Sequence, residues 1–386
     1  MKKIEKKITT TQYGEYVDLC LIGDNLIGVI GTGNGELQAI DAVSGETKWT
    51  VKNAANPGIK TGQAIFDENA IYISRTSDQD NMVMAGSIKS PGSFKRCLTA
   101  HNPENGEEIW VCDLTKYDRD KIQFTRPLAQ TDKYIIQPNN NKIQVIDKTN
   151  GTVKHSIKFK NEETSYRIGY FIEAWKDKII VSGSNKKKAT HLIDIYDPET
   201  GVHEKTIDLK DVQFILSHIV IDNTLYLLLG INNGTIYKID LVSGKIEKKT
   251  PIEQRRETMS GCTGMVNNNG VLQFVVDAYT KGSEDKMYTQ YTYDTTKDTA
   301  HIHNDLNIEN VLFIGSELEC VELTGKETVV FHSNQVELVE TETGKSIAKI
   351  DLENKNEIRT YKVINNSIYV LQGDRKSTSP DILYII

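Results

Sequence analysis

The stretch LQAIDAVSGETKW, residues 37–49, reads as an alternating strand, a tight turn closed by Gly45, and a second strand carrying Trp49. A glycine there supplies the positive φ that such a turn needs at no steric cost. The same run returns as LTAHNPENGEEIW from Leu98, IQVIDKTNGTVKHSI from Ile143, LIDIYDPETGVHEKTI from Leu192, IYKIDLVSGKIEKKT from Ile236 and VELVETETGKSIAKI from Val336. Gly106, Gly151, Gly201, Gly244 and Gly344 hold the turn position in these copies. A further copy, DTTKDT around Lys297 and Asp298, has no glycine, so an irregular turn is expected there.

Working outward, each run is preceded by a polar hairpin dipeptide and an apolar strand. The anchors are Asn25, Asn69, Lys133, Lys178, Asn223, Gly270, Lys326 and Asn366, and the strands they open include LIGVIG, AIYIS, TLYLLLG and SIYVLQ. Their mean spacing of about 49 residues is that of radial or stacked repeats. Eight antiparallel units of four strands follow, forming one all-β domain over residues 1–386. The eighth unit has room for only one strand, DILYII, after SIYVLQ. The N-terminal segment KKIEKKITT alternates apolar and charged residues and is expected to supply the missing outer strand, which joins the first unit to the last and removes an open edge. Seven units with a disordered end is the alternative, and DILYII argues against it. A long insertion, residues 76–95, interrupts the second unit, and a shorter one, DAYTKGSEDK, the sixth.

The two units that end in Trp49 and Trp110 resemble the repeats of quinoprotein-type (PQQ-like) β-propellers, and the other copies keep the turn while losing Trp. The resemblance implies an eight-bladed, WD40-like ring in which Trp side chains dock neighbouring blades. It implies little about chemistry, because the superfamily includes both quinone dehydrogenases and non-catalytic scaffolds, among them the lipoprotein that helps assemble outer-membrane barrels. Against the dehydrogenases stand the absence of adjacent cysteines and of a recognisable calcium set, so no cofactor is expected. The assembly lipoprotein carries an export signal and a lipid-bearing Cys that are not recognisable here.

The chain has 46 Lys and Arg against 53 Asp and Glu, a formal charge of −7. Such a molecule is repelled by nucleic-acid phosphates and anionic lipid, so neither is an expected partner. The N-terminus begins with lysines but continues through Glu5 and threonines where an export signal has its apolar core, and no apolar run approaches the roughly 20 residues of a membrane helix. Cys20, Cys97, Cys112, Cys262 and Cys320 are scattered and odd in number, which reads as a reduced, cytoplasmic protein.

Candidate catalytic motifs have plainer readings. His301 and His303 place two imidazoles on one strand face, but no third ligand lies at motif spacing, and an exposed strand edge accounts for them. SGCTG, centred on Cys262, resembles a nucleophile turn only superficially and reads as close packing at the start of an inner strand. GTGNG, residues 31–35, precedes a strand and not a helix N-terminus, so it is read as a hairpin turn and not a phosphate loop.

Charge sorted by face is more informative. The loops joining second to third strands, and those linking units, emerge on one side of such a ring. That side carries Lys89, Lys95 and Arg96, then Lys186, Lys187 and Lys188, then Arg255 and Arg256, then Arg375 and Lys376, with Glu162, Glu163, Asp374 and Asp381 as diluting acids. Met82, Met84, Ile88 and Phe94 in the long insertion are adaptable apolar anchors. These residues point to a scaffold for protein–protein interaction, with an acidic protein as the partner the rim would suit. Arg126, Arg167 and Arg359 fall near the starts of innermost strands and, turned to the axis, would line a funnel holding a quinone or another anionic ligand. Partner identity and oligomeric state leave no mark in the sequence.

Overall fold

The computed structural model describes residues 3–10, 17–23, 26–31, 36–52, 54, 64–76, 96–114, 129–139, 142–159, 171–185, 190–210, 214–230, 234–254, 256–281, 286–306, 321–332, 334–341, 343–352, 357–364, 367–374 and 379–386. They form eight antiparallel sheets and, among the described residues, no helix. Seven sheets run in chain order, from an inner strand outward, over residues 17–51, 65–113, 129–158, 172–208, 214–251, 258–306 and 321–351. They are blades 1 to 7. Blade 8 contains Glu357–Ile364, Ser367–Gly373 and Ile382–Ile385, and its outer strand is the N-terminal Lys6–Thr9. Lys6 pairs with Ile385 and Thr9 with Ile382, as the alternation of KKIEKKITT requires.

The core is a circle of apolar layers between neighbouring blades. One layer joins Leu19, Ile27 and Ile40 of blade 1 to Tyr369, Leu371 and Leu383 of blade 8, and another joins Val329, Phe331 and Leu338 of blade 7 to Val275 of blade 6 and Val370 of blade 8. Similar layers lie between the remaining neighbours, so the first and last units meet and the ring closes. Strand period explains this arrangement: residues two apart share a face, so each blade offers one apolar face to either neighbour. Each fully buried aliphatic side chain contributes about 1.5–3 kcal/mol. The stabilisation is therefore spread around the ring.

One irregularity recurs. Between third and fourth strands the register shifts at Ala39/Ile40, Ala100/His101, Val145/Ile146, Ile195/Tyr196, Lys238/Ile239, Gln290/Tyr291 and Leu338/Val339. The extra residue bends each outer strand and raises its twist. Inner strands carry bulges as well, at Ile22, Leu216, Ser260 and Arg359. The inner strand of blade 6 is broken into Thr258–Cys262 and Val266–Asn268, with Thr263 bridging the gap through its backbone and hydroxyl to Val275. Cys262 thus ends an inner-strand segment.

Candidate interaction surface

The glycine turns share one construction from blade to blade. In blade 1, Asp41 Oδ1 accepts from the backbone N–H groups of Val43 and Ser44 (2.8 and 2.7 Å), and Gly45, at φ +80°, donates its N–H to Asp41 O (2.7 Å). Asn102, Asp147, Asp197 and Asp240 open equivalent turns. The blade 6 turn corrects the expectation of irregularity: Asp294 opens it in the same way, and Asp298 adopts φ +53° where the others have glycine. Asp tolerates the left-handed region better than most residues because its side chain bonds locally. Here Asp298 Oδ1 accepts from Tyr293 Oη (2.9 Å) and from Lys238 Nζ of blade 5 (3.2 Å).

Each of several turns is gripped by the preceding blade. Trp49 Nε1 donates to Pro103 O (3.2 Å) and Trp110 Nε1 to Lys148 O (2.8 Å), with their rings lying where a Cβ on Gly106 or Gly151 would stand, 2.7 and 2.5 Å away. Four residues after Gly151 and Gly201, where the Trp is lost, His155 and Lys205 take over. His155 Nε2 donates to Glu199 O (2.8 Å) against Gly201, and Lys205 Nζ donates to Leu241 O (3.4 Å) and Val242 O against Gly244. Lys6 of the closing strand does the same to Val43 O, with Ile8 against Gly45. Trp175, on an inner strand, adds a separate clasp to Asp222 O (2.7 Å).

Ion pairs reinforce these contacts. Lys148 Nζ lies 2.8 Å from Asp67 Oδ2, linking blade 3 back to blade 2 beneath the ring of Tyr72. Burial works against the Asp67 charge, but Lys148 and the N–H groups of Asn69 and Ala70 outweigh it and hold the carboxyl below its ordinary value. Tyr134 Oη donates to Glu199 Oε2 (2.5 Å), and Lys154 bonds both groups and holds Glu199 low. Between blades 4 and 5 a cleft of about 260 Å³ is lined by Trp175, Ile195, Lys205 and Val242.

The predicted site residues are placed unevenly. Met82, Met84, Ile88, Lys89, Phe94, Lys95, Lys186, Lys187, Lys188, Arg255, Arg375, Lys376, Arg126 and Arg167 lie outside the described residues. Arg96 is the first residue of the strand Arg96–His101, and Arg256 is exposed just before the inner strand of blade 6. Arg359 is a correction. It is the bulged residue of its strand, which interrupts the regular alternation. There its Nη1 lies 3.1 Å from Asp381 Oδ2, with both side chains fully buried, so neither the funnel nor the rim receives these charges.

His301 is exposed and His303 Nε2 bonds Thr292 Oγ1 (2.7 Å); among the described residues no group of three metal-ligating side chains converges. Burial, with nearby Asp277 adding to it against a hydrogen bond from Ser217, pushes the Cys262 thiol far above its ordinary range. A thiol held protonated is a poor nucleophile.

Comparison with known proteins places this geometry. A PQQ-repeat family model, described as outer membrane protein assembly factor BamB, matches residues 33–204. Among solved structures, BamB from Moraxella catarrhalis superposes with TM-score 0.61 at 14% identity, covering 100% of this chain and 99% of that one. The chain has the β-propeller fold, and its residues 33–204 match the PQQ-repeat model. The computationally designed Ika8 protein (TM-score 0.62, 12% identity, 98% and 99% covered) and a europium-containing methanol dehydrogenase (0.57, 10%, 99% and 92%) share the propeller fold. No curated protein matches the sequence. The propeller's docking Trp residues were legible from the repeats, whereas His155 and Lys205 were not singled out. Their signal was present in the unchanged Gly-plus-four spacing.

Proposed function

We propose that this propeller is a non-catalytic scaffold that grips a protein partner through its loop-bearing face. The observation that carries the reading is the series of blade-to-blade clasps: Trp49, Trp110, His155 and Lys205 each fix the next blade's turn, giving a rigid frame on which loops can vary. The likeness to BamB, itself an assembly factor by description, supports the same reading. The burial of Arg359 against Asp381 weighs against a small anionic ligand in the axial funnel. Contact is assigned to residues 76–95, with Met82, Met84 and Phe94 as anchors, and to Lys186, Lys187, Lys188, Arg255 and Arg256 as the basic rim facing an acidic partner. A reducing compartment suits Cys20, Cys97, Cys112 and Cys262, which form no disulfide among the described residues.

The test is capture of partners by the full chain, identified by mass spectrometry, with Lys186, Lys187 and Lys188 changed to Ala and residues 76–95 shortened. Loss of one specific protein in both variants supports the assignment. Capture unaffected by both changes, or saturable binding of pyrroloquinoline quinone with calcium by the purified protein, overturns it.

A further inference from the structure

Four seams between blades share one docking position, set by a pair across the third and fourth strands: Ala39 with Trp49, Ala100 with Trp110, Val145 with His155 and Ile195 with Lys205. At the first two an indole fills the seam and caps the turn of the next blade. At the last, between blades 4 and 5, the pair is Ile and Lys, and a cleft of about 260 Å³ lies there. Ile195 and Leu241, both buried, form its base, Val242, 59% exposed, is its lip, and Trp175 from the inner strand of blade 4 is one wall.

These walls are fixed before anything binds. Trp175 Nε1 donates to Asp222 O (2.7 Å), Lys205 Nζ to Leu241 O (3.4 Å) and Val242 O, and Lys178 Nζ lies between Asp197 Oδ2 (3.0 Å) and Glu204 Oε1 (2.7 Å). A site held in this way loses little further freedom on binding. In blades 4 and 5 the chain leaves the described residues at Asn185, Lys210 and Gly230, at the other ends of the strands from the hairpin and turn that line the cleft.

Size and surface chemistry select the occupant. The volume falls short of the roughly 300–1,000 Å³ of small-molecule pockets and suits a single side chain. Lys176, Lys178 and Lys205 are offset by Asp177, Glu204 and the second partner of Lys178, Asp197, so net charge is not what the cleft reads. An aromatic plane set beside aliphatic groups favours a second ring. Glu204 adds an acceptor: its Oε1 is bound to Lys178, and a carboxylate has further lone pairs for an N–H.

We propose that this cleft receives a tryptophan side chain of a partner protein, its ring against Trp175 and Val242 and its N–H directed to Glu204, as Trp49 and Trp110 fill the corresponding seams from within the chain. Trp is among the residues that most often anchor an interface from such a pocket. The proposal rests on the reading of the ring as a protein-binding scaffold but uses the turn-bearing side, opposite the loops.

A seven-residue Gly/Ser peptide with a central 5-fluorotryptophan is titrated with the full chain and followed by fluorine NMR line width. Saturable broadening is expected, and the unlabelled Trp peptide is expected to displace it about fivefold more effectively than a copy with central Leu. Lys205→Trp combined with Ile195→Ala rebuilds the pair of blades 1 and 2, fills the cleft from within, and is expected to abolish binding at an undiminished thermal midpoint. Val242→Lys, at the exposed lip, is expected to weaken binding about fivefold and keeps the test decisive even if the double variant fails to fold. A flat titration, equal displacement by the Leu peptide, or undiminished binding by Val242→Lys or by the folded double variant overturns the proposal. So does saturable binding of free indole with none of the peptide, since the cleft then takes a free ring and not a partner's side chain. None of these results bears on the loop-face variants, so the two readings fail separately.

Discussion

Arg359 and Asp381 form an ion pair sealed inside blade 8: Arg359 Nη1 lies 3.1 Å from Asp381 Oδ2 and 3.4 Å from Oδ1, and neither side chain is exposed. Asp381 also accepts, through its backbone oxygen, from Thr10 N (2.9 Å) and Oγ1 (3.2 Å) just beyond the closing strand. A Cβ on Gly373 would land on Asp381 Oδ1, so the glycine makes room for the pair. The pair thus stands where the two ends of the chain are sewn together.

Breaking it from one side leaves a buried charge uncompensated. Asp381→Ala is expected to lower stability by about 3–5 kcal/mol, whereas Arg359→Met combined with Asp381→Leu recovers most of the loss. Denaturant unfolding of the three proteins checks this. A single variant as stable as the wild type would show that the pair does not hold the closure.

Trp110 fills the contact between blades 2 and 3, with its ring 5.8 Å from that of Tyr72 and its Nε1 bonded to Lys148 O. Trp110→Ala is expected to cost about 3 kcal/mol. Gly151→Ala is expected to be similarly harmful: it places a Cβ 2.5 Å from the Trp110 ring at φ +70°. In the Trp110→Ala background the steric part of the Gly151→Ala cost disappears, so the two losses are less than additive. A double-mutant cycle by chemical denaturation measures this directly.

Acid sensitivity follows from the turns. Asp41 is held below its ordinary pKa chiefly by the backbone N–H of Ser44, Asp240 by Ser243, Asp294 by Thr296, and Asp197 by Lys178 and nearby N–H groups against an opposing burial effect. A carboxyl titrating lower in the folded chain than in the unfolded one stabilises the fold above the unfolded value, about 3.9, and loses that contribution as pH falls through the folded value. Thermal midpoints are therefore expected to be level between about pH 5 and 7 with respect to these groups and to fall below about pH 4. Asp41→Asn and Asp294→Asn together should flatten the acid limb, and an unchanged limb would remove the turns as its source.

Gln290 is wholly buried between blades 6 and 7, and neither its Nε2 nor its Oε1 has a hydrogen-bond partner among the described residues. An unsatisfied buried amide costs about 1–3 kcal/mol. Gln290→Met, of similar volume and without polar termini beyond the thioether, is expected to raise the thermal midpoint by removing about 1 kcal/mol of that penalty. A lower midpoint would mean that the amide is satisfied in solution.

The division between what was readable and what was not runs along particular residues. Blade number, turn form and the pairing of Lys6–Thr9 with Ile382–Ile385 all follow from local rules: glycine or Asp298 at positive φ, and period-two alternation that allows one register to bury Ile8, Leu383 and Ile385. Asp298 was misread because a missing glycine does not forbid the left-handed region to an aspartate with local partners. Local rules failed wherever a bulge intervened. Position near the start of an innermost strand suggested the axis for Arg359, whereas it is a bulged residue of that strand and pairs with Asp381.

By itself, then, the order of residues determined the repeat, the turns and the closure of the ring, because backbone geometry and burial of alternate side chains act over a few residues or between strands of unambiguous pattern. Tertiary structure alone decided which carbonyls of the next blade His155 and Lys205 bond, that Arg359 is buried, and that Ile109 and Val111 are exposed on an outer strand. Those outcomes depend on which blade is beside which, and on bulges that shift a strand by one residue, and neither is encoded in any local spacing.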